Sequence, residues 1–285
     1  MDLTGQIIDA ITGWLQTLAA ALIAPTLEAA TQMLFSTPAF DQIPEVARLW
    51  SVLRVIADSL FVLATLAAGV LVMSSGSSQS RYSAKVLVPR LVLAAIAANA
   101  SLAFAGALIS LDNALVTSVV GADPAGQIGH EFAAALQGAH PVNQYVTILI
   151  ALWAAILALL LVAMYLGRNL VLLLGTVLAP IALGLYALPQ TEEIAHLWLR
   201  AYTALLFVQV VQAALVVIGL QVIRRSDWFG GAATDLTSGL MLVALLYLLF
   251  KLPLAAYQWA FRQRISQSAV AQPILIAARA ARALV

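Results

Sequence analysis

The chain has 285 residues, of which 63% are hydrophobic and only 9% charged, with 14 Lys and Arg against 13 Asp and Glu. Soluble domains carry roughly 25% charged residues, so this composition excludes an ordinary soluble domain and points to a polytopic membrane protein. The absence of cysteine removes disulfide frameworks, thiolate metal sites and cysteine nucleophiles from consideration.

The N-terminal stretch MDLTGQIIDA lacks the basic n-region and small-residue cleavage site of a secretory signal, so it is expected to stay in the mature chain. Residues 5 to 34 space Ile7, Ile8, Ile11, Trp14, Leu15, Leu18 and Leu22 helically, interrupted by Pro25 and Glu28. This fits an amphipathic helix on an interface or partner, or else a helix packed on the protein's own core. A turn-rich link, STPAFDQIPEV, leads to a first span at about 48 to 73. Its Arg54 and Asp58 stand one helical turn apart and are expected to offset each other's cost of leaving water.

After the serine-rich basic loop SSGSSQSRYSAKVLVPR, a second span is expected at about 88 to 110, with Ala97, Ser101 and Ala105 as a small-residue stripe for close helix packing. Residues 111 to 141 hold Asp112, Asp123 and Glu131 but no Lys or Arg, so this segment reads as an external loop. The stretch 142 to 191 is then interrupted by one charge, Arg168. A single helix of that length would be about 75 Å, so a fold-back or kink is expected, with Arg168 at the membrane face. The returning segment, 169 to 188, is bent or broken by Pro180.

Counting charge decides between two topologies. If 169 to 188 crosses fully there are six spans, with six basic residues inside against eight outside. If it re-enters and leaves on the same face there are five, and ten basic residues fall inside against four. The second obeys the positive-inside rule. PQTEE then reads as a cytoplasmic-side turn: Pro189 stops one segment, Thr191 caps the next, and Glu192 and Glu193 occupy its first turn, where the helix dipole favours acids. A re-entrant segment must be sheltered by protein or line a water-filled cavity, so 169 to 190 is one candidate functional region.

In the following span, 199 to 223, Gln209 and Gln212 share a face that continues to Val216 and Gly219, which suits helix contacts or a polar lumen. Lys251 lies late in the last span, placed to snorkel. Trp50, Trp198, Trp228 and Trp259 lie near segment ends, as an interfacial belt requires. Catalytic signatures are missing: there is no GxGxxG, P-loop, HExxH or GxSxG, and His130, His140 and His196 have no metal-ligand spacing. The tail RQRISQSAVAQPILIAARAARALV mixes basic and apolar residues, as an inner-surface amphipathic segment, a docking site or a disordered end would.

These features define an all-α, polytopic transmembrane helical bundle of five to six spans. Its divisions are an N-terminal helix and link at 1–46, a membrane domain at 47–260 and a basic tail at 261–285. The run GRNLVLLLGTVLAPIALGLYALPQTEEIAHLWLRAYTALLFVQVVQAALVVIGLQVI resembles the TrbL-like proteins of conjugation and type IV secretion machines. The likeness lies in an Arg before an apolar segment containing LAPIA, then LPQT with acids, then a Trp-Arg helix rich in Gln. It implies a non-enzymatic, cofactor-free channel or scaffold component of the bacterial inner membrane, N-terminus out and C-terminus in. It also implies homo-oligomers, contact with lipid, with the apparatus's ATPases and with its periplasm-spanning subunits, and export of DNA or protein. Two other readings remain at this point: a small secondary transporter with its site at 169–190, and a membrane scaffold without transport.

Overall fold

A computed structural model describes residues 3–74, 84–121, 144–224 and 235–262. All described elements are helical: α1 Leu3–Phe35, α2 Pro44–Ser74, α3 Ala84–Asn99, α4 Ser101–Val120, α5 Gln144–Gly184, α6 Glu192–Arg224 and α7 Asp235–Arg262. Short 3₁₀ turns lie at Phe40–Gln42 and Leu185–Ala187. Five helical stretches are long and apolar enough to cross a membrane: Pro44–Leu66, Ser101–Val120, Ile148–Ala187, Glu192–Ile223 and Thr237–Gln258.

The centre of the bundle is α5. It runs 41 residues without interruption, about 60 Å, straight past Arg168 and through Pro180. The expected fold-back at Arg168 is therefore corrected: the apolar stretch exceeds one bilayer thickness, yet the chain reverses only at 185–191. Arg168 lies near the midpoint of the apolar stretch Ile148–Ala187 and is 1% exposed, so it does not mark a membrane face. Pro180 is buried and accommodated, as happens in membrane helices whose neighbours shelter the freed carbonyl.

The reversal itself falls where PQTEE places it. Gly184 ends α5, Leu188 takes an extended conformation, and Glu192 and Glu193 open α6. The Thr191 hydroxyl donates back to the carbonyls of Leu185 (2.6 Å) and Leu188 (3.3 Å), so it locks the turn instead of capping α6. Across the turn, Arg90 of α3 pairs with Glu192 and lies over the Tyr186 ring, 5.0 Å from its centroid.

Along α5 lie two apolar cores. One gathers Leu27, Leu34, Leu161, Tyr165, Val216, Leu245 and Leu246 from α1, α5, α6 and α7. The other gathers Phe40, Val46, Ala105, Ile109, Leu172, Tyr202 and Leu206 from the link, α2, α4, α5 and α6. The last turns of α1 therefore pack on the protein's own core, while Ile11 and Trp14 are exposed. Between lipid-soluble helices the hydrophobic effect gives little drive, so close van der Waals packing carries the association. Gly175 shows this: its side is open enough for the Tyr202 ring to lie 3.0 Å from where a Cβ would stand. Trp198 stacks on Tyr202 at 4.9 Å and donates its indole N–H to the Gly175 carbonyl at 3.0 Å.

The second span is also displaced. Helix α3 ends at Asn99 and α4 begins at Ser101, and backbone bonds from Ala100 to Ile96 and from Phe104 to Ala100 continue across the junction. The stretch here that is long and apolar enough to cross is Ser101–Val120, and residues 111–120 are helix and not loop. One stripe runs through the break, with Ala94, Ala98, Ser101, Ala105, Ile109, Asp112 and Val116 all buried. Trp50 is buried against it, donating its indole N–H to the Ser101 hydroxyl at 2.8 Å, so it is a helix contact and not part of an interfacial belt. The serine-rich loop at 75–83, the segment 122–143, Trp228 and the basic tail from 263 onward lie outside the described residues.

Arg54 and Asp58 do not pair. Arg54 turns back over Trp50, 5.2 Å from the ring centroid, and Asp58 accepts a hydrogen bond from the Asn99 amide at 3.1 Å. Arg90–Glu192 and Arg168–Asp112 are ion pairs, and each joins different helices. The spacing allowed an intrahelical pair, but Arg54 turns to Trp50 and Asp58 to Asn99. Changing Arg54 to Met and Asp58 to Asn, singly and together, should therefore give additive stability losses, with a coupling energy below about 0.5 kcal/mol in a double-mutant cycle. A coupling well above that would restore the intrahelical pair.

Candidate functional site

The two apolar cores meet at a belt of buried polar side chains. Arg168 comes from the middle of α5, Asp112 and Asn113 from α4, Thr37 from the link after α1, and Gln209 from α6. Arg168, Asp112, Thr37 and Gln209 are 1%, 0%, 1% and 0% exposed. Such groups are costly in an apolar interior unless they satisfy one another.

Arg168 does most of the joining. Its Nε donates to the Leu205 carbonyl at 2.8 Å, and one terminal nitrogen approaches the Leu206 carbonyl at 3.5 Å. The same nitrogen lies 3.8 Å from the Asp112 carboxylate, a charge contact and not a hydrogen bond. The other terminal nitrogen donates to the Thr37 hydroxyl at 3.2 Å, and that hydroxyl donates onward to Gln209 Oε1 at 2.6 Å. Only the planar, five-donor guanidinium can reach two helices and a loop at once. The link is pinned separately: the Thr37 backbone N–H donates to Asn113 Oδ1 and the Asn113 amide donates to the Thr37 carbonyl, each at 2.9 Å. Four residues further on, the Asp41 carboxylate lies against Gly106, 2.5 Å from where a Cβ would stand, so a larger residue there would force the Asp41 side chain to move.

One turn along α6, Gln212 is also 0% exposed and donates its amide to the Leu249 carbonyl of α7 at 2.8 Å. Both glutamines thus turn to partners in the same chain, Gln209 to the link and Gln212 to α7. Lys251 is exposed, with its ammonium 5.6 Å from the Tyr247 ring centroid. The structure brings together Arg168 and Gln209; it keeps Arg54, Asp58 and Lys251 apart from them. Pro180 lies in α5 beyond the belt, while Pro189, Thr191, Glu192 and Glu193 form the hairpin turn.

Asp112, Thr37 and Asn113 were not singled out by sequence reasoning. For Asp112 a signal existed: it falls in helical step with Ser101, Ala105 and Ile109, so an acid continues the stripe of small residues. Thr37 and Asn113 carry no comparable pattern, since their pairing spans 76 residues of sequence.

A helical bundle with five helices fit to cross a membrane, holding a buried charge pair at its middle, is a multi-pass membrane protein. The chain belongs to the TrbL/VirB6 plasmid conjugal transfer like protein family, whose sequence model matches residues 1–284. It is accordingly a component of a conjugal transfer or type IV secretion system, in a family of structural transfer components and not a known enzyme family. No curated protein and no solved structure matches the chain.

Proposed function

We propose that the protein is an inner-membrane scaffold subunit of the transfer apparatus, and that any conduit it helps form lies between subunits and not through one. The observation that carries this is the direction of its polar groups. Arg168, Asp112, Gln209 and Gln212 are all buried inside a single chain, and the partners that Arg168, Gln209 and Gln212 do have belong to that same chain, while large apolar side chains such as Val62, Leu66, Leu149 and Leu159 are exposed; Asp112 has the Arg168 charge at 3.8 Å but no hydrogen-bond partner. The transporter reading relied on a broken, re-entrant 169–190, and a continuous α5 to Gly184 removes that support. Homo-oligomerisation and contacts with the ATPases and periplasm-spanning subunits belong to the same proposal, as does an external N-terminus with an internal C-terminus.

Deleting the gene from a transfer-competent donor should abolish conjugation or export, with recovery when the unmodified chain is supplied in trans. Normal transfer by the deletion strain would refute the proposal. Orientation has its own test: a reporter active only in the cytoplasm should be active when fused after Val285 and silent after Gly126. Activity at both or neither would sink the odd number of crossings.

A further inference from the structure

Helix α1, the link and α2 follow α5 in the same sense. Leu27 and Leu161 border one small cavity, Thr37 is bonded to Arg168, Val46 shares a core with Leu172, and Phe61 reaches Gly184. The two stretches therefore cover the same heights of the bundle, about 17 Å between the levels of Leu161 and Leu172. Their outer surfaces differ. Between Ile148 and Leu178 no exposed residue of α5 carries a polar or charged side chain; Ile156, Leu160, Leu166 and Leu170 are among them. Between Glu28 and Arg48 every exposed residue is polar or proline, the polar ones being Glu28, Gln32, Ser36, Gln42, Glu45 and Arg48. None of these six side chains has an ion pair or hydrogen bond with another residue among those described. At one height, then, the molecule presents an apolar face suited to lipid and a polar face that is not.

We propose that the face from Glu28 to Arg48 walls a water-filled space within the membrane, closed on its far side by another subunit. This rests on the reading above, that a conduit lies between subunits, and it names the wall. Hydrocarbon is excluded as the neighbour, because ionisable side chains at membrane depth face protein or a water-filled cavity. A protein contact fits poorly as well, since the centres of such contacts are depleted in charged residues, Glu among them. Water solvates acid, amide, hydroxyl and base alike and needs no matching set of partners. The backbone gives a second, independent reason. The link between α1 and α2 is largely non-helical at the level of Arg168, and Ser36, Pro38 and Gln42 leave it partly uncovered. Irregular backbone at membrane depth is tolerated only where protein buries it or where it lines a water-filled cavity. Here the belt of Arg168, Asn113 and Gln209 supports the link from within, and water meets its outer side.

The test uses the full chain in cells with an active transfer apparatus, one introduced cysteine at a time. Gln32→Cys, Ser36→Cys and Gln42→Cys sample the wall, and Leu166→Cys and Leu170→Cys sample the α5 face at the same height. A charged, membrane-impermeant methanethiosulfonate is applied to whole cells and to inside-out vesicles. Only a thiolate reacts, and a thiol in apolar surroundings stays protonated, so the three wall positions should be modified at least about tenfold faster than the two on α5, from one side or the other. Equal rates at the two sets would overturn the proposal. So would wall positions that stay unmodified from both sides; disulfides between copies at Gln32→Cys or Gln42→Cys under oxidation would then assign the face to a second copy. Deleting the gene reads the scaffold role separately. Transfer lost on deletion, with the wall unmodified, would remove the water-filled space and leave the scaffold standing.

Discussion

Replacing Arg168 with Met is expected to cost about 3–5 kcal/mol, because it strands the Asp112 carboxylate in the core and frees the Leu205 carbonyl. In cells the chain should fall to a small fraction of its normal membrane level, and in detergent its unfolding temperature should drop sharply. Arg168→Lys keeps the charge but not the fork that reaches α4, α6 and the link together, so its loss should be intermediate. The double change Arg168→Met with Asp112→Leu removes both charges and should recover a substantial part of the single variant's loss. A double variant as unstable as the sum of the two singles would show that Asp112 and Arg168 do not interact.

The second large effect is expected at Gly175. Valine there would push two methyl groups into the Tyr202 ring, which already lies 3.0 Å from the Cβ position, and would disturb the Trp198 bond to the Gly175 carbonyl. Overpacking of this kind costs about 1–3 kcal/mol, and the lost hydrogen bond adds about 1 more. Leu174→Val, one residue away and 55% exposed, is the matched control and should be nearly neutral. Equal losses at the two positions, read as thermal stability of the purified protein, would mean that α5 and α6 are not held by close approach at this point.

Part of this architecture could be read from residue order because it depends on local properties. The spans report themselves through uninterrupted apolarity, and PQTEE marks the hairpin because proline, a small hydroxyl residue and paired acids each act within one turn. Gln209 and Gln212 announce an inward face because amides are poorly accommodated by lipid. What stayed hidden depends on distant partners. Arg168 looked like a boundary marker because a lone Arg in an apolar run is costly by itself, and its compensating acid lies 56 positions earlier, on a helix that reads as a loop when acids are counted without bases. The second span is expected at 88–110 because the uncharged window 91–110 ends just before Asp112, whereas the apolar helix continues through that acid over 101–120. The 41-residue length of α5 broke a sound rule, that a membrane helix needs about 20 residues, because a helix flanked along its whole length by others can continue past one bilayer thickness. Arg54 and Asp58 show the converse: correct spacing allows a contact without requiring it.

The central claim is that the buried polar residues of the spans serve the interior of one chain and do not line a watery conduit. Because the chain contains no cysteine, a single one can be introduced and read without background. Val216→Cys and Gln212→Cys, both at positions 0% exposed and on the face most suited to a lumen, should be placed in cells with an active transfer apparatus. They would then be treated with a membrane-impermeant methanethiosulfonate, in whole cells and in inside-out vesicles. The account predicts no modification of either from either side, with full modification once the protein is denatured in detergent. Rapid modification of both in the native membrane would contradict it and would open the α6 face to water.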